Sequence, residues 1–106
     1  MSLAVYYAVF PDGPTAENIC RQLVEEKLIG CANIFAPHTA IYPWDGKIET
    51  SKEVPAFLKT ESDLHQRLEA RYLALHPYEV PCLLRLQVDA INPGYADWLR
   101  SLLQKN

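Results

Sequence analysis

The sequence predicts an α+β domain with the element order β-α-β-β-α-β and an additional C-terminal helix. Three observations carry this reading. A run of strand formers, Leu3 to Phe10, meets a Pro-Asp-Gly-Pro break and then an amphipathic helical pattern. Two long strand-forming arms flank an Asp-Gly turn at Asp45-Gly46. A second helical pattern stops at Pro77 and is followed by a short strand and a last helical stripe.

Each element has a local cause. Leu3 to Phe10 is nearly all β-branched, aromatic or small apolar and too short for a lone helix, so it reads as a strand buried on both faces. Thr15 is the expected N-cap of a helix running to about Lys27. Ala16, Ile19, Cys20, Leu23, Val24 and Leu28 make its core-facing stripe, and Gly30 is expected to close the region. Cys31 to Tyr42 and Lys47 to Leu58 form a long hairpin around Pro43-Trp44-Asp45-Gly46. Pro37 and Pro55 each lack a ladder donor, so bulge or edge positions are expected for them. A second helix is expected from about Glu61 to Leu75, with Leu64, Leu68, Tyr72 and Leu75 on one stripe. Pro81 to Val88 alternates in part and reads as a fourth strand. Asn92 caps the last helix, with Pro93 at its first position and Tyr95, Trp98, Leu99, Leu102 and Leu103 on its apolar face. This is the ferredoxin-like, split βαβ order.

Such a sheet carries both helices on one face and leaves the other bare. The bare face would be lined by Val5, Tyr7 and Val9, or in the opposite register by Leu3, Ala4 and Tyr6. A hairpin this long cannot bury its tip against one small core. Both features call for self-association, with Tyr42 and Trp44 packing on another copy of the chain.

Composition bounds the function. The 106 residues make one domain, with 49% apolar and 22% charged residues. The net charge of −3 and the dispersed basic residues give no footprint for nucleic acid or anionic lipid. No apolar run approaches the roughly 20 residues of a membrane span, and no signal-peptide pattern is present. Cys20, Cys31 and Cys82 are an odd count without CxxC spacing, which points to a reducing compartment, by default the cytoplasm.

The richest stretch chemically is His76-Pro77-Tyr78-Glu79-Val80-Pro81-Cys82, which sets an imidazole, a phenol, a carboxylate and a thiol on a stiff connector. Imidazole and thiolate suit zinc and copper. The stretch reads as a metal site, a small-ligand site or a rigid turn.

The chain resembles the CutA, or divalent-cation tolerance, family over nearly its whole length. The resemblance is carried by Leu23-Val24-Glu25-Glu26-Lys27-Leu28, Gly30-Cys31-Ala32-Asn33-Ile34, Ile41 to Glu49, Leu58-Lys59-Thr60, the His76 to Pro81 stretch and Tyr95-Ala96-Asp97-Trp98-Leu99. It implies a ferredoxin-like subunit in a tight homotrimer, similar in build to PII signalling proteins, and a link to copper and other divalent cations. Three departures stand out: Cys82 where the family usually has Glu, Ala40 where it has Ser, and Val9-Phe10-Pro11 in place of a Thr-rich turn. A thiolate at 82 is softer than a carboxylate and would favour copper(I) or zinc.

The candidates divide as follows. His76, Cys82 and Cys31, from the same or a neighbouring subunit, are the metal-ligand set; a helix-end histidine and packed cysteines are the structural alternatives. Tyr42, Trp44, Lys59, Tyr78 and Trp98 are assigned to a ligand cleft or subunit interface. Cys20 reads as core, and His38 and His65 as surface residues. Catalysis is not expected, because no Gly-rich phosphate loop is present and nothing supplies an oxyanion hole for a Cys-His pair. Two functions remain: a trimer that binds copper or another divalent cation, and a PII-like scaffold whose intersubunit clefts hold a small anion or a partner peptide.

Overall fold

Leu3–Phe10 forms β1, the strand around which the sheet is built. In the computed structural model, which describes residues 2–105, it is followed by α1 (Gly13–Glu25), β2 (Cys31–Ile34), β3 (His38–Trp44), β4 (Lys47–Glu61), α2 (His65–Leu75), β5 (Leu83–Gln87) and α3 (Pro93–Ser101). The five strands are antiparallel in the order β2-β4-β1-β5, with β3 pairing further along β4. The α+β class and the succession of strands and helices are those expected, with one difference. The second strand is two strands.

The split is a bulge. Ile34 pairs with Ala56 but His38 pairs with Glu53, so residues 35–37 face only Val54 and Pro55. Pro37 lies within the bulge, as its missing donor requires. The Pro55 carbonyl accepts from the Phe35 N–H at 2.9 Å, and a strand residue points its nitrogen and oxygen to the same side. The absent N–H of Pro55 therefore faces the bulge and removes no bond to β1.

Three helix boundaries differ from expectation. Asp12, not Thr15, caps α1: its carboxylate accepts from the Thr15 N–H at 2.8 Å, with Pro14 in the first turn. The helix stops at Glu25, just short of the expected Lys27, which takes a left-handed φ of 60° after the C-cap Glu26. Gly30 serves packing instead, since a Cβ there would collide with the Leu99 side chain. Glu61 is the last residue of β4 rather than the start of α2, because β4 stays paired to Leu3 and the Ser62 N–H bonds to Ser2 O. A 3₁₀ turn, Ser62–Leu64, then leads into α2. Asn92 stands at the N-cap of α3, but its side chain makes no capping bond.

The helices α1 and α2 cover one face of the sheet. Ala4, Tyr6, Ala8 and Phe10 of β1 pack there against Ile19, Cys20 and Leu23 of α1 and Leu68 and Tyr72 of α2, all buried. The other face carries Val5 and Tyr7 of β1, which settles the register of the bare side. Directly opposite them are Leu86 and Leu84 of β5, left 44% and 55% exposed. The helix α3 covers only one end of this face, through Leu3, Ala96 and Leu99. The hairpin of β3 and β4 projects beyond both layers and stretches the chain to 45 × 26 × 22 Å.

Candidate functional site

The connector after α2 is held at several points. Pro77 ends the helix, and His76 is buried at its C-terminus. The imidazole donates from Nε2 to Val9 O at 2.7 Å and accepts at Nδ1 from the Tyr78 N–H at 3.1 Å. It stacks on Phe10, ring centroids 5.4 Å apart, and touches the Tyr78 ring at 4.8 Å. The buried Tyr72 hydroxyl donates to Cys82 O at 2.7 Å, anchoring the far end of the connector. Tyr78 then reaches across to the hairpin, where its hydroxyl donates to Glu53 Oε2 at 2.6 Å. Burial, and then the Glu53 carboxylate, hold that phenol far above the usual tyrosine range.

Between connector and hairpin runs a groove of about 710 Å³. Strand alternation builds one wall: His38, Ala40 and Tyr42 of β3 share a face with their partners Glu53, Ser51 and Glu49 of β4, and Trp44 continues that face. Tyr78, Glu79, Val80 and Cys82 form the opposite wall, with Tyr7 and Val9 of β1 at the floor. The Tyr7 hydroxyl meets His38 Nε2 at 2.9 Å, while His38 Nδ1 is buried with no partner among the described residues. The Tyr42 hydroxyl lies 3.3 Å from Ser51 Oγ. Burial, and secondarily Glu53, push the Cys82 thiol up, so its thiolate is disfavoured.

The sequence-derived sites are thus partly assembled and partly dispersed. Tyr42, Trp44, Tyr78 and Cys82 line one groove. Lys59 and Trp98 lie elsewhere: Lys59 Nζ sits 5.4 Å from the centre of the Tyr95 ring, and Tyr95 packs against Trp98 at 5.6 Å. Cys31 pairs with Lys59, beside Leu3 and α3, four residues along β4 from Pro55, the partner of Val9 to which His76 bonds. That places Cys31 roughly 13 Å along the sheet from the connector. Both His76 nitrogens are already engaged, so ligation or base chemistry would cost one of those bonds. Among the described residues no three His, Cys, Asp or Glu side chains converge as metal donors. The set His76, Cys82 and Cys31 therefore does not fit a metal ion within one chain.

Two histidines read as isolated surface residues are not isolated. His38 is in the groove, and His65 accepts or donates at Nδ1 to the Tyr6 hydroxyl at 2.8 Å, with the two rings stacked. Both pairings cross between distant elements, so sequence spacing gives no sign of them.

The model of CutA1 divalent ion tolerance proteins matches residues 4–102. This chain belongs to the CutA1 family. The divalent-cation tolerance protein CutA of Pyrococcus horikoshii is 46% identical over 92% of this chain and 94% of its own. That of Thermococcus kodakarensis is 42% identical over 97% and 98%. The crystal structure of CutA1 from Oryza sativa superposes with a TM-score of 0.96 at 27% identity, covering 100% of this chain and 97% of that one. The five-stranded antiparallel sheet and three helices are thus a CutA1 architecture. Within it, sequence reasoning missed Tyr7, His38, Glu49, Glu53 and Glu79 as groove residues. The period-2 placing of His38, Tyr42 and Trp44 was the available signal for the hairpin wall.

Proposed function

We propose that this chain is a ferredoxin-like, PII-like subunit of a homotrimer that acts in divalent-cation tolerance, and that the groove is where it meets its ligand. The observation that carries the assembly is the uncovered face of the sheet. Leu84, Leu86 and Phe35 are 55%, 44% and 48% exposed there, and the projecting hairpin adds Ile41 and Ile48 at 71% and 73%. An apolar surface of this extent on so small a chain marks an interface. The relatives named divalent-cation tolerance proteins support the role.

Copper or another divalent cation is the expected ion. Cys82 is the donor this reading retains, and the remaining donors would come from a neighbouring subunit. A second reading, a PII-like cleft protein, is favoured by the committed state of His76. Its small-anion version is disfavoured by the three carboxylates in the groove.

Light scattering tests the assembly: the expected mass is three times the 12.1 kDa of one chain. Leu84→Glu is expected to lower it, and a monomer mass for the unaltered chain at micromolar concentration would refute the trimer. Calorimetry of reduced protein with copper(I) and zinc tests the ion. Cys82→Ser should lose binding while His76→Ala, if folded, keeps it; undiminished binding by Cys82→Ser sinks the cysteine site.

A further inference from the structure

We propose that the groove between the hairpin and the connector binds a linear aliphatic polyamine, a reading that rests on the groove being a ligand site. The charge of its lining selects a cation. Glu49, Glu53 and Glu79 face it, and Lys52 is the single lysine or arginine among its lining residues. Lys52 Nζ is turned to Thr39 Oγ1 at 2.7 Å. Desolvating an anion beside three carboxylates is unfavourable.

The arrangement of the walls selects an elongated organic cation. A small metal ion needs converging donors, and the described residues of one chain do not bring three together. Instead Glu49 and Glu53 stand four residues apart on the same face of one strand, roughly 13 Å from each other. Carboxylates spaced along a trough match a chain that carries ammonium groups at both ends. Between and beside them lie the aromatic side chains Tyr42 and Trp44, with Tyr78 across the gap. Trp44 is 48% exposed in the single chain, which leaves part of its ring outside the chain's own packing. Aromatic faces attract ammonium groups and also pack against methylene chains, which inorganic cations lack. Glu53 gives one oxygen to Tyr78, leaving the other outside that bond.

Calorimetry with spermidine at 0.15 M salt, where long-range attraction between exposed charges is largely screened, tests this. Saturable binding is expected, with magnesium chloride failing to compete at equal concentration. Trp44→Ala should weaken it roughly tenfold, the size of a cation–π contact. Glu49→Gln, an exposed change that leaves the core untouched, should weaken it severalfold. Glu17→Gln removes the same charge from α1, outside the groove, and should leave the affinity unchanged. No saturable binding overturns the proposal. So does equal affinity in Trp44→Ala and Glu49→Gln, or an equal loss in Glu17→Gln, either of which marks spermidine as a counterion only. Retained copper or zinc binding by a protein that ignores spermidine would overturn this inference and leave the divalent-cation reading standing.

Discussion

Two Pro-centred aromatic stretches lie on opposite walls of the same groove, and they have opposite characters. His76-Pro77-Tyr78 is packed and bonded: the imidazole uses both nitrogens and the phenol is tied to Glu53. Tyr42-Pro43-Trp44 leaves its indole half exposed at the end of a projecting hairpin. The first is built by the chain for its own fold. The second keeps aromatic surface outside the chain's own packing. A motif rich in ligand-type residues is therefore a poor guide to a site until its hydrogen bonds are accounted for.

The largest effect that can break this comparison is His76→Ala. It removes a buried ring stacked on Phe10, leaves Val9 O with only the long 3.5 Å bond from the Tyr72 hydroxyl and frees Tyr78. The loss of packing and of a buried hydrogen bond together should cost about 3 kcal/mol of subunit stability. Trp44→Ala, on the exposed side, should change that stability by under about 0.5 kcal/mol. Urea unfolding at one fixed protein concentration measures both, since association makes stability concentration-dependent. Similar losses for the two would mean that the hairpin tip is as integral to the fold as the connector.

The cysteines sharpen the contrast through pH. Cys20 lies in the core between α1 and the sheet, and burial pushes its thiol up to about 11. Its folded value exceeds its unfolded one, so its stabilising contribution is complete below the unfolded value near 9. Above that pH the unfolded chain releases the proton first. Stability then falls as pH rises towards 11, by about 2 kcal/mol from this group. Cys20→Ala should flatten that decline although it lowers stability at neutral pH. Unfolding free energies at pH 7.5 and 10.5 test this, and an unchanged slope would remove Cys20 from the account. Cys82, half-buried in the groove, should react with iodoacetamide well before Cys20 does in the native protein.

The fold was legible where the signal was periodic. The stripe Leu64, Leu68, Tyr72 is the buried face of the turn and helix that carry it, and Asp45-Gly46 turns the hairpin, both residues at positive φ. Boundaries failed where a single hydrogen bond between distant residues decided them, as with Ser62 and Ser2. The site was half legible. Alternation along β3 put Tyr42 and Trp44 on one wall. The partner wall depends on the connector folding back across the sheet, which no local pattern encodes. His76 was misleading because its two hydrogen-bond partners, Val9 O and the Tyr78 N–H, are backbone groups. Lys59 and Trp98 were grouped with Tyr42, Trp44 and Tyr78 for a cleft or subunit interface; within one chain the strand carries Lys59 to the opposite end of the sheet, under α3.

The smallest effect concerns the one bond that joins the two regions. Tyr78 donates to Glu53 across the groove at 2.6 Å, a short charge-assisted contact between partly exposed groups. Screening by solvent keeps its expected worth to about 1 kcal/mol. Tyr78→Phe deletes the donor with little change in shape, and Glu53→Gln keeps an acceptor without the charge. Each should lower stability modestly, and the double variant should lower it by less than the sum, with a coupling of about 1 kcal/mol in the cycle. If the effects simply add, connector and hairpin are mechanically independent, and a ligand in the groove would touch two walls that do not sense each other. If they couple, occupancy of the groove by anything that competes for Glu53 must also loosen Tyr78, and through its N–H bond to Nδ1 the strain reaches His76 in the core.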